Sequence, residues 1–152
     1  MAESQVSPIR EASNVPFALN PQDELSADWR VGRVFEIGTT GTVDSNGDPA
    51  YRLEKGRYGA FLVLIDPEET DGDGDPLPSV ETILMPPDNT GRAIKTGWRC
   101  TIHNDTSGPI KFESVTSGGL KVDVPSDKIP AGRSAEVQKL DGVLKLIGVS
   151  TG

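Results

Sequence analysis

The chain holds a single histidine, His103, and a single cysteine, Cys100, three positions apart in Trp98-Arg-Cys-Thr-Ile-His103. Nucleophilic catalysis would need that imidazole within reach of a Cys or Ser nucleophile. The segment alternates apolar and polar residues, which is strand spacing, and residues three apart on a strand point to opposite faces. The two side chains are therefore not expected to meet. Cys100 reads as a small core residue and His103 as a strand-end residue bonding in the Asn104-Asp105 turn.

A second constellation is Asp71-Gly-Asp73-Gly-Asp75, the alternating carboxylates with which calcium loops begin. An EF-hand loop continues with Gly at its sixth position and Glu at its twelfth, where this chain has Pro76 and Thr82. A plain acidic turn is the preferred reading, with Asp71, Asp73 and Asp75 kept as candidate metal ligands. The glycines lack the Lys-Ser/Thr of a phosphate loop, and no carboxylate pair stands in a recognisable glycosidase setting. No catalytic residue and no cofactor is expected, and the chain is read as a non-enzyme.

Large apolar residues outside a strand pattern are candidate contacts instead. Phe17 and Leu19 lie in an otherwise polar stretch, and Trp29 stands where that stretch ends; these three are the expected partner-binding residues. Trp98 begins an alternating strand and is expected in the core.

The elements that must position these residues are short. Residues 1–28 carry Pro8, Pro16 and Pro21 with no apolar period between them, and read as an extended N-terminal arm. Residues 29–152 read as one domain. Asp44-Ser-Asn-Gly-Asp-Pro49 signals a hairpin, because Asn-Gly supplies the positive φ of tight turns. Tyr58–Ile65 is the longest apolar run and ends at Asp66-Pro67, so it reads as a buried strand. Further strands are expected at Val80–Met85, Trp98–His103, Ile110–Val115, Leu120–Val124, Ser134–Leu140 and Val143–Val149, divided by Gly- and Pro-rich turns. No internal repeat stands out. Strands spaced in this way predict an all-β fold, an antiparallel sandwich or jelly-roll-like barrel.

Composition agrees with that class and excludes others. The chain has 17 Gly and 12 Pro, and only 5% of its residues are aromatic. Its 15 Lys and Arg against 23 Asp and Glu give a net charge of -8, which repels nucleic acid and anionic membranes. No stretch has the roughly 20 apolar residues of a spanning helix. Synthesis in a cytoplasm is expected, with the lone thiol giving no sign of an oxidising compartment.

The succession from Gly97 onward is similar to the β-domains of tailed-bacteriophage virion proteins. It comprises Gly97-Trp-Arg-Cys-Thr-Ile-His-Asn104, the strand Ile110–Val115, Pro130-Ala-Gly132, the Asp141-Gly142 turn and the closing Leu144-Lys-Leu-Ile-Gly148. The resemblance covers about a third of the chain, from Gly97 to Gly152. It implies a virion structural protein, a capsid decoration, cement or head-fibre subunit, usually a homotrimer on the capsid surface. The implied partners are the major capsid protein or other virion subunits. A tail-fibre or spike module binding a host receptor or glycan is the alternative, and few aromatic residues are present to serve it.

Overall fold

The computed structural model describes residues 33–149. The expected arm (1–28), Phe17, Leu19 and Trp29 lie outside those residues. Nine strands are described: β1 (Val34–Ile37), β2 (Thr42–Val43), β3 (Pro49–Arg52), β4 (Phe61–Ile65), β5 (Thr82–Met85), β6 (Arg99–Asp105), β7 (Lys111–Ser114), β8 (Ser134–Leu140) and β9 (Val143–Val149). The only helix described is a 3-10 turn at Lys55–Arg57. The all-β class is as expected.

The strands form two sheets, one ordered β9-β8-β6-β4-β1 and the other β2-β3-β5-β7. The expected antiparallel arrangement holds for β2/β3, β6/β8 and β8/β9. The pairs β1/β4, β4/β6, β3/β5 and β5/β7 are parallel, so both sheets are mixed, and no barrel closes. Parallel neighbours need a long crossover. Here each crossover is itself a strand of the opposite sheet: the chain runs β1, β3, then β4, β5, then β6, β7, laying three successive coils side by side.

Register makes the coils comparable. Val34 pairs with Phe61 and Phe61 with Thr101 in one sheet, while Ala50 pairs with Thr82 and Thr82 with Lys111 in the other. Between the first two coils the offset is 27 residues, Val34 to Phe61, and the same offset carries Val43-Asp-Ser-Asn-Gly-Asp-Pro49 onto Thr70-Asp-Gly-Asp-Gly-Asp-Pro76. The chain thus has an internal repeat, contrary to the reading of its sequence. Beyond Pro76 the second coil carries five extra residues, Leu77–Glu81, which widens the next offset, Ala50 to Thr82, to 32.

Period-2 patterning decides which side chains enter the core. On β6, Cys100, Ile102 and Asn104 are buried between more exposed neighbours, and on β8 Ala135, Val137 and Lys139 are buried in the same way. Both sheets feed one cluster: Leu62, Leu64, Ile102 and Val137 from one, Tyr51, Ile83, Met85 and Phe112 from the other. Trp98 is buried in it, as expected, and its indole Nε1 donates to the Lys55 carbonyl at 2.9 Å.

The expected strand at Leu120–Val124 is not one. Gly118 and Gly119 both take positive φ, 59° and 79°, and turn the chain sharply before it. Asp123 then makes an isolated bridge to Val143, with its N–H bonded to the Gly142 carbonyl and its carbonyl to the Leu144 N–H.

Leu62 is fully buried on β4, between its register partners Phe35 on β1 and Ile102 on β6. Leu62→Ala is expected to cost about 2–5 kcal/mol through lost burial and a residual cavity, read as a lowered urea midpoint at unchanged slope.

Candidate functional site

The corners where the chain leaves one sheet for the other hold the acidic motifs, and they are built alike. At the first, Asp44 Oδ1 accepts the N–H of Asn46 and of Asp48, both at 2.9 Å, and Gly47 takes φ 85°. At the second, Asp71 Oδ1 accepts the N–H of Asp73 at 2.9 Å and of Asp75 at 3.0 Å, and Gly74 takes φ 84°. At the third, Asn104 Oδ1 accepts the Thr106 N–H at 3.0 Å and its hydroxyl at 2.6 Å. Each leading Asp or Asn is followed five residues later by proline: Pro49, Pro76 and Pro109.

This geometry accounts for Asp71 as the head of an acidic turn. One oxygen of Asp71 is engaged by two backbone donors, and all three residues are exposed at the tip of the turn. The described residues include no group of three or more His, Cys, Asp or Glu arranged to hold a metal ion. The motif does the work of an Asx turn.

The first corner differs from the second in where its aspartate lies. The Asp44 side chain is fully buried, and its second oxygen, Oδ2, accepts the Thr82 hydroxyl at 2.6 Å and lies 3.7 Å from Lys111 Nζ. Burial pushes this carboxyl upward. The Thr82 hydroxyl, the N–H groups of Asp48 and Asn46 and the Lys111 ammonium outweigh that and hold it below its ordinary value of 3.8. Asp44, Thr82 and Lys111 belong to successive coils, so one carboxylate ties all three together.

Between the second and third corners lies a groove of about 760 Å³, edged by Asp66, Glu81, Lys111 and Lys128 with Pro67 and Pro109. Asp66 Oδ1 bridges its walls, accepting the Ser79 hydroxyl and, at 3.3 Å, the Ser107 N–H. A smaller, more apolar groove of about 280 Å³ lies one coil earlier, against Val43 and Pro49, and shares Leu77, Pro78 and Val80 with the first. The five extra residues of the second coil therefore wall both grooves.

Cys100 and His103 alternate across β6 as their spacing requires. Cys100 faces the core, where burial, and secondarily the charge of Glu136, push its thiol up to about 12. His103 bonds through Nδ1 to the Ser134 hydroxyl at 2.7 Å, a partner on the neighbouring strand rather than in the expected Asn104-Asp105 turn. That turn is built instead by Asn104, which is fully buried and donates through Nδ2 to the Gly108 and Ile129 carbonyls, both at 2.8 Å.

The outer face of the five-stranded sheet presents apolar residues to solvent. Val34 and Phe61, register partners on β1 and β4, are 62% and 44% exposed, with half-buried Val63 and Ile65 further along β4. Sequence reading assigned Phe61 wholly to a buried strand. Only alternate residues of that run turn inward, a distinction that a continuous apolar run does not carry.

Comparison with protein families, with characterised proteins and with solved structures gives no match for the chain.

Asp44→Ala is expected to cost about 3 kcal/mol, because it leaves backbone donors and the Lys111 charge without their acceptor. Since the folded state lowers this carboxyl, its contribution is present above 3.8 and lost as pH falls through the folded value. Acid titration by circular dichroism checks this: the variant's stability declines less steeply at low pH than that of the parent. A Cys100 thiol raised to about 12 predicts alkylation at neutral pH only as fast as the chain unfolds, measured by labelling with and without urea.

Proposed function

We propose that this protein is a non-enzymatic structural subunit of a tailed-bacteriophage virion, a capsid decoration or cement protein that strengthens the head by adhesion. In this reading the two sheets are the layers of a sandwich, and one outer face docks on the major capsid protein or another virion subunit. The observation that carries the reading is the exposed Val34–Phe61 pair with its apolar neighbours on β4. Contiguous apolar surface of this kind marks an interaction site when it lies on an otherwise polar protein.

Two further features support it. The net charge of -8 is suited to a protein partner rather than a phosphate backbone. The rigid corners hold their loops by internal hydrogen bonds, which keeps a docking surface preorganised. A homo-oligomer on the virion surface multiplies a small contact by symmetry. Phe17, Leu19 and Trp29, outside the described residues, are proposed as partner-binding residues in their own right.

Co-sedimentation with capsids lacking decoration tests the proposal. The parent protein is expected to pellet with them, and Phe61→Asp, on an exposed position, to weaken binding by about tenfold or more while leaving the fold intact. Failure to pellet with capsids, joined to binding of host cells, would overturn it in favour of a fibre or spike tip.

A further inference from the structure

β9 forms one border of the five-stranded sheet, and that border is occupied only at its start. Leu144 donates its N–H to the Asp123 carbonyl at 2.7 Å, and the Gly142 carbonyl accepts the Asp123 N–H at 3.0 Å. From Lys145 to Val149 the strand pairs with β8 on one side, and among the described residues no strand lies on the other. A border of this kind presents backbone donors and acceptors that bond either water or another strand.

Apart from half-buried Leu146, which packs on the core, the stretch is exposed, and Lys145 is its one polar side chain. Ile147 is 54% and Val149 37% exposed. The register moves from Leu146–Val137 to Gly148–Glu136, which makes Ile147 the extra residue of a bulge, without a counterpart on β8. The bulge and Lys145 are devices that limit indiscriminate pairing, and they narrow the partners that fit rather than close the border.

We propose that this border joins two copies of the chain, with β9 of each pairing antiparallel to β9 of the other about a two-fold axis near Ile147. A second copy is the occupant that the charges favour. Lys145 is the only ionisable residue in Lys145-Leu-Ile-Gly-Val149. With the axis between Leu146 and Ile147, Lys145 stands opposite Gly148 of the other copy and the two Lys145 side chains lie on either side of the axis, so like charges do not face each other. Each ammonium arrives beside Gly148 of the other copy, which has no side chain, and whose register partner Glu136 presents a carboxylate on the next strand. Glu136 and its neighbour Arg99, 3.7 Å away, are both substantially exposed, leaving that carboxylate accessible to a second cation. The contact is isologous, so it closes at two copies and does not propagate into a fibre.

Light scattering on the full chain across a concentration series tests the contact. The expected mass is that of two copies at the upper concentrations. Ile147→Asp, on an exposed side chain, is expected to raise the dissociation constant by about tenfold or more with an unchanged circular dichroism spectrum. Lys145→Glu is expected to weaken the pair, and Lys145→Glu with Glu136→Lys to restore it. A monomer or trimer in the parent, an undiminished pair in Ile147→Asp, or no restoration in the double variant would overturn the proposal. The inference goes beyond the assembly reading: mass is read on the isolated chain and adhesion on capsids, so the failure of either is seen without the other.

Discussion

The Asp44 carboxylate is the contact on which the three coils most depend. Burying an ion without partners costs several kcal/mol, and here four partners offset that cost: two backbone N–H groups of its own turn, the Thr82 hydroxyl and the Lys111 ammonium. Thr82 and Lys111 are not arbitrary neighbours. They are register partners of each other, and Thr82 is the register partner of Ala50, the residue that follows the first corner's proline. A slip of one residue between β3 and β5, or between β5 and β7, would turn Thr82 or Lys111 to the other face and leave the carboxylate buried beside apolar side chains. The charge therefore contributes to register as much as to stability.

Once register is fixed, the remaining structure follows from repetition. Each coil covers the border of the one before it, in the manner of repeat proteins whose units cannot bury an apolar face alone. Such a stack needs an end. On the five-stranded sheet the end is the β8–β9 hairpin, which pairs antiparallel with β6 and stops the parallel series. On the four-stranded sheet, Ile110 and Ile129 exchange N–H and carbonyl bonds at 3.0 and 2.8 Å beside the start of β7. The corners can vary as long as the leading Asp or Asn caps its own turn. The second coil exploits that freedom by adding Leu77–Glu81 without disturbing the strands on either side.

Strand positions were legible in the sequence because alternation and turn residues are local signals. β6, β8 and β9 stand where the pattern placed them, and Trp98 is in the core. Strand partners were not legible. The hairpins were the exception, since β2/β3 and β8/β9 pair across their Asn-Gly and Asp-Gly turns as expected; for the other pairs, alternation records which face is buried but not whether the neighbour runs parallel. The repeat escaped notice because the two matching segments share only the turn residues Asp, Gly, Asp and Pro. Their strand residues, Val-Phe-Glu-Ile against Phe-Leu-Val-Leu, preserve hydrophobicity loosely and identity not at all. The turn reading and the metal reading of Asp71, Asp73 and Asp75 draw on the same residues, because a carboxylate that caps a tight turn and one that begins a calcium loop are alike in sequence.

The least legible core residue is Lys139, and it shows how polar contacts direct the chain. Alternation with Ala135 and Val137 carries it to the buried face, where an ammonium without a partner would be untenable. Its Nζ lies 3.2 and 3.3 Å from the two oxygens of Asp88, in the long excursion between β5 and β6. Its backbone binds the other end of that excursion, donating to the Trp98 carbonyl at 2.7 Å and accepting the Gly97 N–H at 2.8 Å. One residue thus holds both ends of a loop that would otherwise leave the sheet. Because Asp88 is about half exposed, its carboxylate keeps some hydration, which makes the buried ammonium tolerable without a fully desolvated pair. Lys139 does for this excursion what Asp44 does for the coils: a buried charge makes one path of the chain favourable and its alternatives costly. Apolar burial alone would reward many arrangements of these short strands. The polar anchors select one of them, and with it the fixed positions at which the apolar residues Val34, Phe61 and Ile147 stand exposed.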